Sequence, residues 1–148
     1  MRKIIATVIS LVNLVLLGIA FGLGSLTAAT NANEASIGTY YSLVWPTSNA
    51  YMNAFNIVGF FALCLAAGVM LFLLIPLKVR KFVAVCEVAL LIFAGVATLL
   101  VPQMYCSVSD VMPTFYLQGG LIAMAVLMFS AAALTAIEAV LEFTDKAE

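Results

Sequence analysis

Two apolar runs joined by a very short basic turn constrain this chain more than any other feature. The first extends from about Phe55 to Leu77, the second from Phe82 to about Val101, and Lys78-Val79-Arg80-Lys81 separates them. At about 1.5 Å per helical residue, each run is long enough to cross a hydrocarbon core of about 30 Å. A four-residue connection leaves them no choice but to fold back on each other as a helical hairpin. The turn holds three of the six Lys and Arg residues in the chain, which predicts that it lies on the cytoplasmic side of a membrane.

The composition agrees with a membrane solvent. Hydrophobic residues make up 66% of the chain and charged residues 9%, against about 25% charged in soluble proteins. The net charge of −1 gives no basis for nucleic-acid binding. There is no histidine, so the commonest general base and the commonest metal ligand are missing. Cys64, Cys86 and Cys106 stand far apart, which predicts neither a dithiol redox site nor a thiolate metal site. The expectation is a protein without cofactor, metal or catalytic residues.

Two further spans flank the hairpin. After Met1-Arg2-Lys3, residues 4–26 form an apolar run interrupted only by Thr7, Ser10, Asn13 and Ser25. A signal peptide has a similar basic start, but its core is usually only about 7–15 residues, so an uncleaved first span is expected. Span two is placed at 53–77, span three at 82–102 with Pro102 closing it, and span four at 114–143. Asp110 or Thr114 is the expected cap of span four, with Pro113 in its first turn. Residues 27–52 form the one long polar stretch. Pro46 breaks it, and Thr47 or Ser48 is the expected cap of the helix that follows. The run Tyr40–Trp45 favours extended structure by its aromatic and branched residues, and is too short to decide between a strand and an interfacial segment.

Topology follows from charge. Arg2, Lys3, Lys78, Arg80, Lys81 and Lys146 all fall on one side, while Glu34 and Asp110 fall on the other. The predicted fold is an all-α, polytopic four-helix membrane bundle, N-in and C-in, with one longer outer loop between spans one and two. Plain spans and short loops point to a bacterial plasma membrane.

Candidate functional residues form four groups. Glu87 lies about 9 Å beyond Lys81 along its helix, and Glu138 lies at a similar depth in the antiparallel fourth span. Facing one another, they would make a carboxylate pair able to share a proton or hold an ion. The plainer expectation has Glu87 reaching Arg80 or Lys81, and Glu138 with Glu142 reaching Lys78 or the basic N-terminus. Asn13, near mid-membrane, needs a partner on another helix. Asn53 and Asn56 share one face of span two with Asn49. Tyr40, Tyr41, Trp45 and Tyr51 fit either a headgroup-level aromatic belt or an outer recognition surface. Gly18, Gly22 and Gly59 are candidates for close helix packing, within the chain first and between two copies second.

The layout of four spans, a longer first outer loop and both ends inside resembles tetraspan proteins such as the claudins and the MARVEL group. Claudins carry Trp with Gly-Leu-Trp and two cysteines in the first loop. Here Val44-Trp45-Pro46 lacks that context and the loop has no cysteine, so the likeness is one of layout. Small multidrug transporters place a glutamate in span one, where this chain has Asn13. Four-span disulfide-forming enzymes need paired cysteines, and dual-topology fluoride channels lack this charge bias. The expected role is interaction: an accessory, scaffold or envelope subunit whose partners are the bilayer and either another membrane protein or a second copy. The alternative is a small transporter or channel subunit using Asn13, Asn53, Asn56, Glu87 and Glu138.

Overall fold

The computed structural model describes residues 2–31, 33–47, 52–75, 79–109 and 115–144, the side chains of 2, 3, 108 and 109 excepted. The chain runs α1 (Arg2–Leu23), β1 (Thr27–Thr30), β2 (Ser36–Thr39), α2 (Tyr40–Val44), α3 (Ala54–Leu73), α4 (Arg80–Ser109), β3 (Tyr116–Leu117) and α5 (Gly119–Thr144). α1, α3, α4 and α5 are each long and apolar enough to cross a membrane. The protein is an integral membrane protein built on these four helices.

Buried positions explain why the helices associate. In α1 they are Ala6, Ser10, Asn13, Leu17 and Ala20; in α4, Arg80, Ala84, Glu87, Leu91, Ala94, Thr98 and Val101. In α3, Asn56, Gly59, Leu63, Ala66, Met70 and Leu73 are buried, and in α5, Leu121, Met124, Met128, Ala131, Thr135 and Glu138. Every set advances by alternating steps of three and four, a repeat of seven. Because 3.5 residues fall short of a helical turn, such seams coil about one another with a left hand. α5 is the hub, packed against α4 and α1, while α4 also packs on α3. Residues such as Val8, Leu11, Val15, Phe61, Leu65, Phe72 and Val126 are exposed on the outer faces, where lipid is their natural solvent.

The fold departs from all-α at the end away from the termini. β1 pairs antiparallel with β2 and with β3, giving the order β2-β1-β3. The hairpin turn is organised by Asn31, whose side-chain oxygen accepts from the backbone N–H groups of Asn33 and Ala35 at 2.9 and 3.0 Å, and Glu34 takes a left-handed φ of 60°. β3 comes from the second loop, so the sheet ties both loops into one platform. Tyr40–Val44 is helical rather than extended. A capping box overrides β-propensity: Ser42 N–H donates to the Thr39 hydroxyl and Thr39 N–H to the Ser42 hydroxyl.

Three boundaries also differ from expectation. Asn53, not Thr47 or Ser48, caps α3, accepting from Phe55 N–H at 2.8 Å. Pro102 does not close span three but sits inside α4. A proline removes one helical donor and frees the carbonyl four residues before it, here that of Thr98. The Asn53 amide donates to the Met104 carbonyl and the Asn56 amide to the Val101 carbonyl, on either side of the proline. The fourth span starts at Gly119, because Tyr116 and Leu117 are committed to the sheet; a cap at Asp110 or Thr114 lies outside the described residues, as do Ser48, Asn49, Pro76, Lys78, Pro113 and Lys146.

Close packing rests on one glycine in particular. A Cβ added at Gly59 would stand 2.6 Å from the Ala97 Cβ, whereas one at Gly18 or Gly22 meets nothing within 4 Å. Gly59→Ala is therefore expected to destabilise the bundle by about 1–3 kcal/mol, and Gly18→Ala to leave it unchanged or slightly firmer. Reversible unfolding of both variants in detergent micelles checks the contrast.

Candidate functional site

Polar residues interrupt the seam near the terminal end of the bundle. Ser10 and Asn13 come from α1, Arg80 and Glu87 from α4, Thr135 and Glu138 from α5, and all six are buried. Each occupies a position of the seven-residue repeat, so the coil that packs the helices also points these side chains inward. At this level α3 contributes the apolar Met70 and Leu73.

Arg80 is the hub of the cluster. Its Nε and Nη2 donate to Glu138 Oε1 at 3.0 and 2.8 Å, and Nη2 also reaches Ser10 Oγ at 3.4 Å. Glu142, one turn further along α5, stands 3.4 Å from Arg80 Nε and is partly exposed. The Ser10 hydroxyl lies 3.0 Å from Glu138 Oε2 and 3.1 Å from the Ala6 carbonyl. It has one proton to give, and the charged oxygen is the stronger acceptor. Three helices thus meet at one ion pair. One turn deeper, Asn13 Nδ2 donates to Thr135 Oγ1 at 2.9 Å, and Thr135 donates to the Ala131 carbonyl.

Glu87 stands apart from this order. It is 0% exposed, and neither carboxylate oxygen has a hydrogen-bond partner. Asn13 Oδ1 is likewise buried and unpartnered. Glu138 is close enough for its charge to act on Glu87. The expected pairing of Glu87 with Arg80 does not form, since Arg80 turns to α5 and meets Glu138; the expected contact of Glu138 with Lys78 lies outside the described residues. Lys81 instead lies over the Phe82 and Phe143 rings, 5.1 and 5.0 Å from their centroids. Ser10 and Thr135, absent from the sequence-based candidates, complete the cluster. Their signal is spacing: each sits three residues from Asn13 or Glu138 on the buried stripe.

The remaining candidates are at the sheet end. Asn53 and Asn56 bond backbone carbonyls, with Asn56 Oδ1 left unpartnered. Tyr40 is fully buried and Tyr41 half-buried, its hydroxyl donating to the Phe21 carbonyl. Gly24 makes room for that ring, since an added Cβ would stand 2.8 Å from it. Trp45 is exposed and meets Phe60 and Phe61 edge-on. Tyr51 lies outside the described residues. Gly18 and Gly22 face outward, so the chain's own packing does not use them. Next to the sheet, a cleft of about 640 Å³ is lined by Thr30, Asn31, Glu34, Tyr116 and Gln118, a size within the range of about 300–1,000 Å³ typical of binding clefts. Gln118 anchors its wall, donating to Thr30 Oγ1 at 2.9 Å. Among the described residues no group of three or more His, Cys, Asp or Glu side chains comes together as a metal site, and the three cysteines are unpaired.

The chain matches no protein-family model, no curated protein and no solved structure.

Glu138→Ala leaves the buried Arg80 without its main partner and is expected to cost about 3–5 kcal/mol, whereas the double change Arg80→Met with Glu138→Met costs much less; a double-mutant cycle on detergent unfolding measures the difference. At the sheet end, burial pushes the Tyr40 phenol up to about 12, against a smaller opposing pull from the Thr98 hydroxyl. An unfolded tyrosine ionises near about 10. The folded state holds the proton to higher pH, so stability is full below about pH 10 and falls between about 10 and 12 by up to about 1.4 kcal/mol per pH unit. Burial raises Tyr41 as well, so Tyr40→Phe should flatten most, not all, of that decline in a pH series of thermal unfolding.

Proposed function

We propose that this protein is a non-catalytic interaction subunit of a bacterial plasma membrane, an accessory, scaffold or envelope component with both termini cytoplasmic and the sheet outside. The orientation rests on charge, since Arg2, Lys3, Lys78, Arg80, Lys81 and Lys146 all belong to one side.

The observation that carries the reading is the platform. Strands from two loops form one sheet, Tyr41 fastens it to the end of α1, and an open polar cleft lies on it. A loop kept only to join two spans has no need of such order. The cleft offers a hydroxyl, two amides, a carboxylate and the exposed ring of Tyr116, a set suited to the backbone and side chains of a partner's polar segment. Tyr40 and Tyr41 lie in the short helix that follows β2, and Trp45 at its end packs against Phe60 and Phe61 of α3. A pathway through Asn13, Asn53, Asn56, Glu87 and Glu138 has less support, because Asn53 and Asn56 commit their amide donors to backbone carbonyls.

Native mass spectrometry of the protein released from its own membrane into nanodiscs tests the reading. The expected result is a defined assembly with a second membrane protein, weakened at least tenfold by Tyr116→Ala with Gln118→Ala, while helical content is unchanged. A chain that is always alone, or an assembly indifferent to those changes, overturns it. A symmetric homo-oligomer broken by Gly18→Leu would move the interface to the outer face of α1.

A further inference from the structure

We propose that Glu87 is a proton-binding site, held as the neutral acid in the closed seam and exchanging its proton through the terminal end of the bundle only. The inference is independent of the interaction reading.

Three facts converge on the site. Glu87 is fully buried with both oxygens unpartnered, and the only other unpartnered polar atom in this half of the seam, among the described residues, is Asn13 Oδ1, also fully buried and also an acceptor. An ionised carboxylate here would face no compensating donor, and its burial in an apolar medium is among the most costly of protein arrangements. A proton resolves this: the neutral acid gains one O–H donor, and an unused acceptor lies in the same polar layer. A metal cation would need several more oxygen ligands and space for itself.

The surrounding charges favour the same state. On its own helix, Glu87 has Arg80 about 10 Å away along the axis, and that guanidinium is committed to Glu138 and Glu142. Lys81 lies over two aromatic rings. From α5 the facing titratable groups are Glu138, whose charge acts on Glu87, and beyond it Glu142. Among the described side chains, α1 presents the neutral Ser10 and Asn13 to this layer, and α3 the apolar Met70 and Leu73. Among the described side chains no further cation faces Glu87.

Access is one-sided because polarity is one-sided. Towards the termini, Glu138, Ser10, Arg80 and the partly exposed Glu142 form a continuous hydrogen-bonded and charged series. Towards the sheet, the next layers are Leu17, Leu91, Met128 and Ala131, then Ala20, Ala94 and Met124, all buried and apolar. A proton taken from water at the terminal end, leaving hydroxide there, and returned to the same side balances without any co-reactant.

Infrared difference spectroscopy on the full chain in lipid vesicles tests the proposal. The wild type should show, at neutral pH, the carbonyl band of a protonated carboxylic acid, shifted by 13C-labelled glutamate. The band should vanish in Glu87→Gln and persist in Glu142→Gln. Glutamine copies the shape of the neutral acid, so Glu87→Gln should fold. Should it not, Glu87→Asp must move the band rather than spare it. Absence of the band in the wild type, or its survival unchanged in these Glu87 variants, overturns the proposal. Raising the pH on the terminal side alone should erase the band, and raising it on the sheet side alone should not; the reverse pattern, or equal response from both sides, overturns the one-sided access.

Discussion

The ion pair between Arg80 and Glu138 is the point on which the bundle depends. It joins the first residue of α4 to the last turns of α5, and Ser10 brings α1 to the same place. Apolar seams in lipid are permissive, because hydrocarbon outside is as good a partner as hydrocarbon inside. A seven-residue repeat alone would allow a helix to slide by a turn or rotate. A guanidinium and a carboxylate that meet at 2.8 Å with almost no exposure do not allow it, because any slip leaves both charges buried and unpaired. Asn13 and Thr135 repeat the constraint one turn deeper. The polar residues therefore define register, while alanines and methionines supply close contact.

The other end is held by different means. There the connections are long enough to wander, and the backbone itself provides the fixing. β1 takes partners on both edges, one from each of the two loops at that end. Beneath it, α2 turns Tyr40 into the end of the bundle, where it packs near Tyr41 and Phe60. Asn53 and Asn56 complete the arrangement, since their amides reach across to α4 around Pro102. These two contacts hold α3 against α4 on either side of Pro102, at Val101 and Met104.

Much of the membrane-spanning part was legible because it follows from length and hydropathy, which are local properties. The existence of the four spans, and the placing of Glu87 and Glu138 near the basic end, needed nothing more. The partners of those carboxylates were not legible. Arg80 is far nearer Glu87 in sequence, and the choice of Glu138 depends on how α4 rotates against α5. The platform was hidden for a similar reason: strands of four, four and two residues carry too little periodicity to read, and β3 lies in a loop that looks like a helix start. Tyr40–Trp45 misled through propensity, since one capping box between Thr39 and Ser42 outweighs the β-preference of five residues.

The two ends share one rigid element, and this shapes what each can do to the other. α4 and α5 begin or finish in the polar layer and reach the sheet at their opposite ends, α5 following β3 with only Gln118 between. A change of charge at Glu87 would act first on the contact between α4 and α5, because Glu138 and its tie to Arg80 lie there. Any rotation of α5 that relieved it would be carried along a continuous helix to Gln118, whose side chain bonds Thr30 and whose N–H bonds the Ala28 carbonyl. One continuous helix, α5, thus runs from the buried layer to the residue beside the cleft. Were the proton at Glu87 and an occupant of the cleft both to bias that rotation, each would alter the affinity for the other by the same factor.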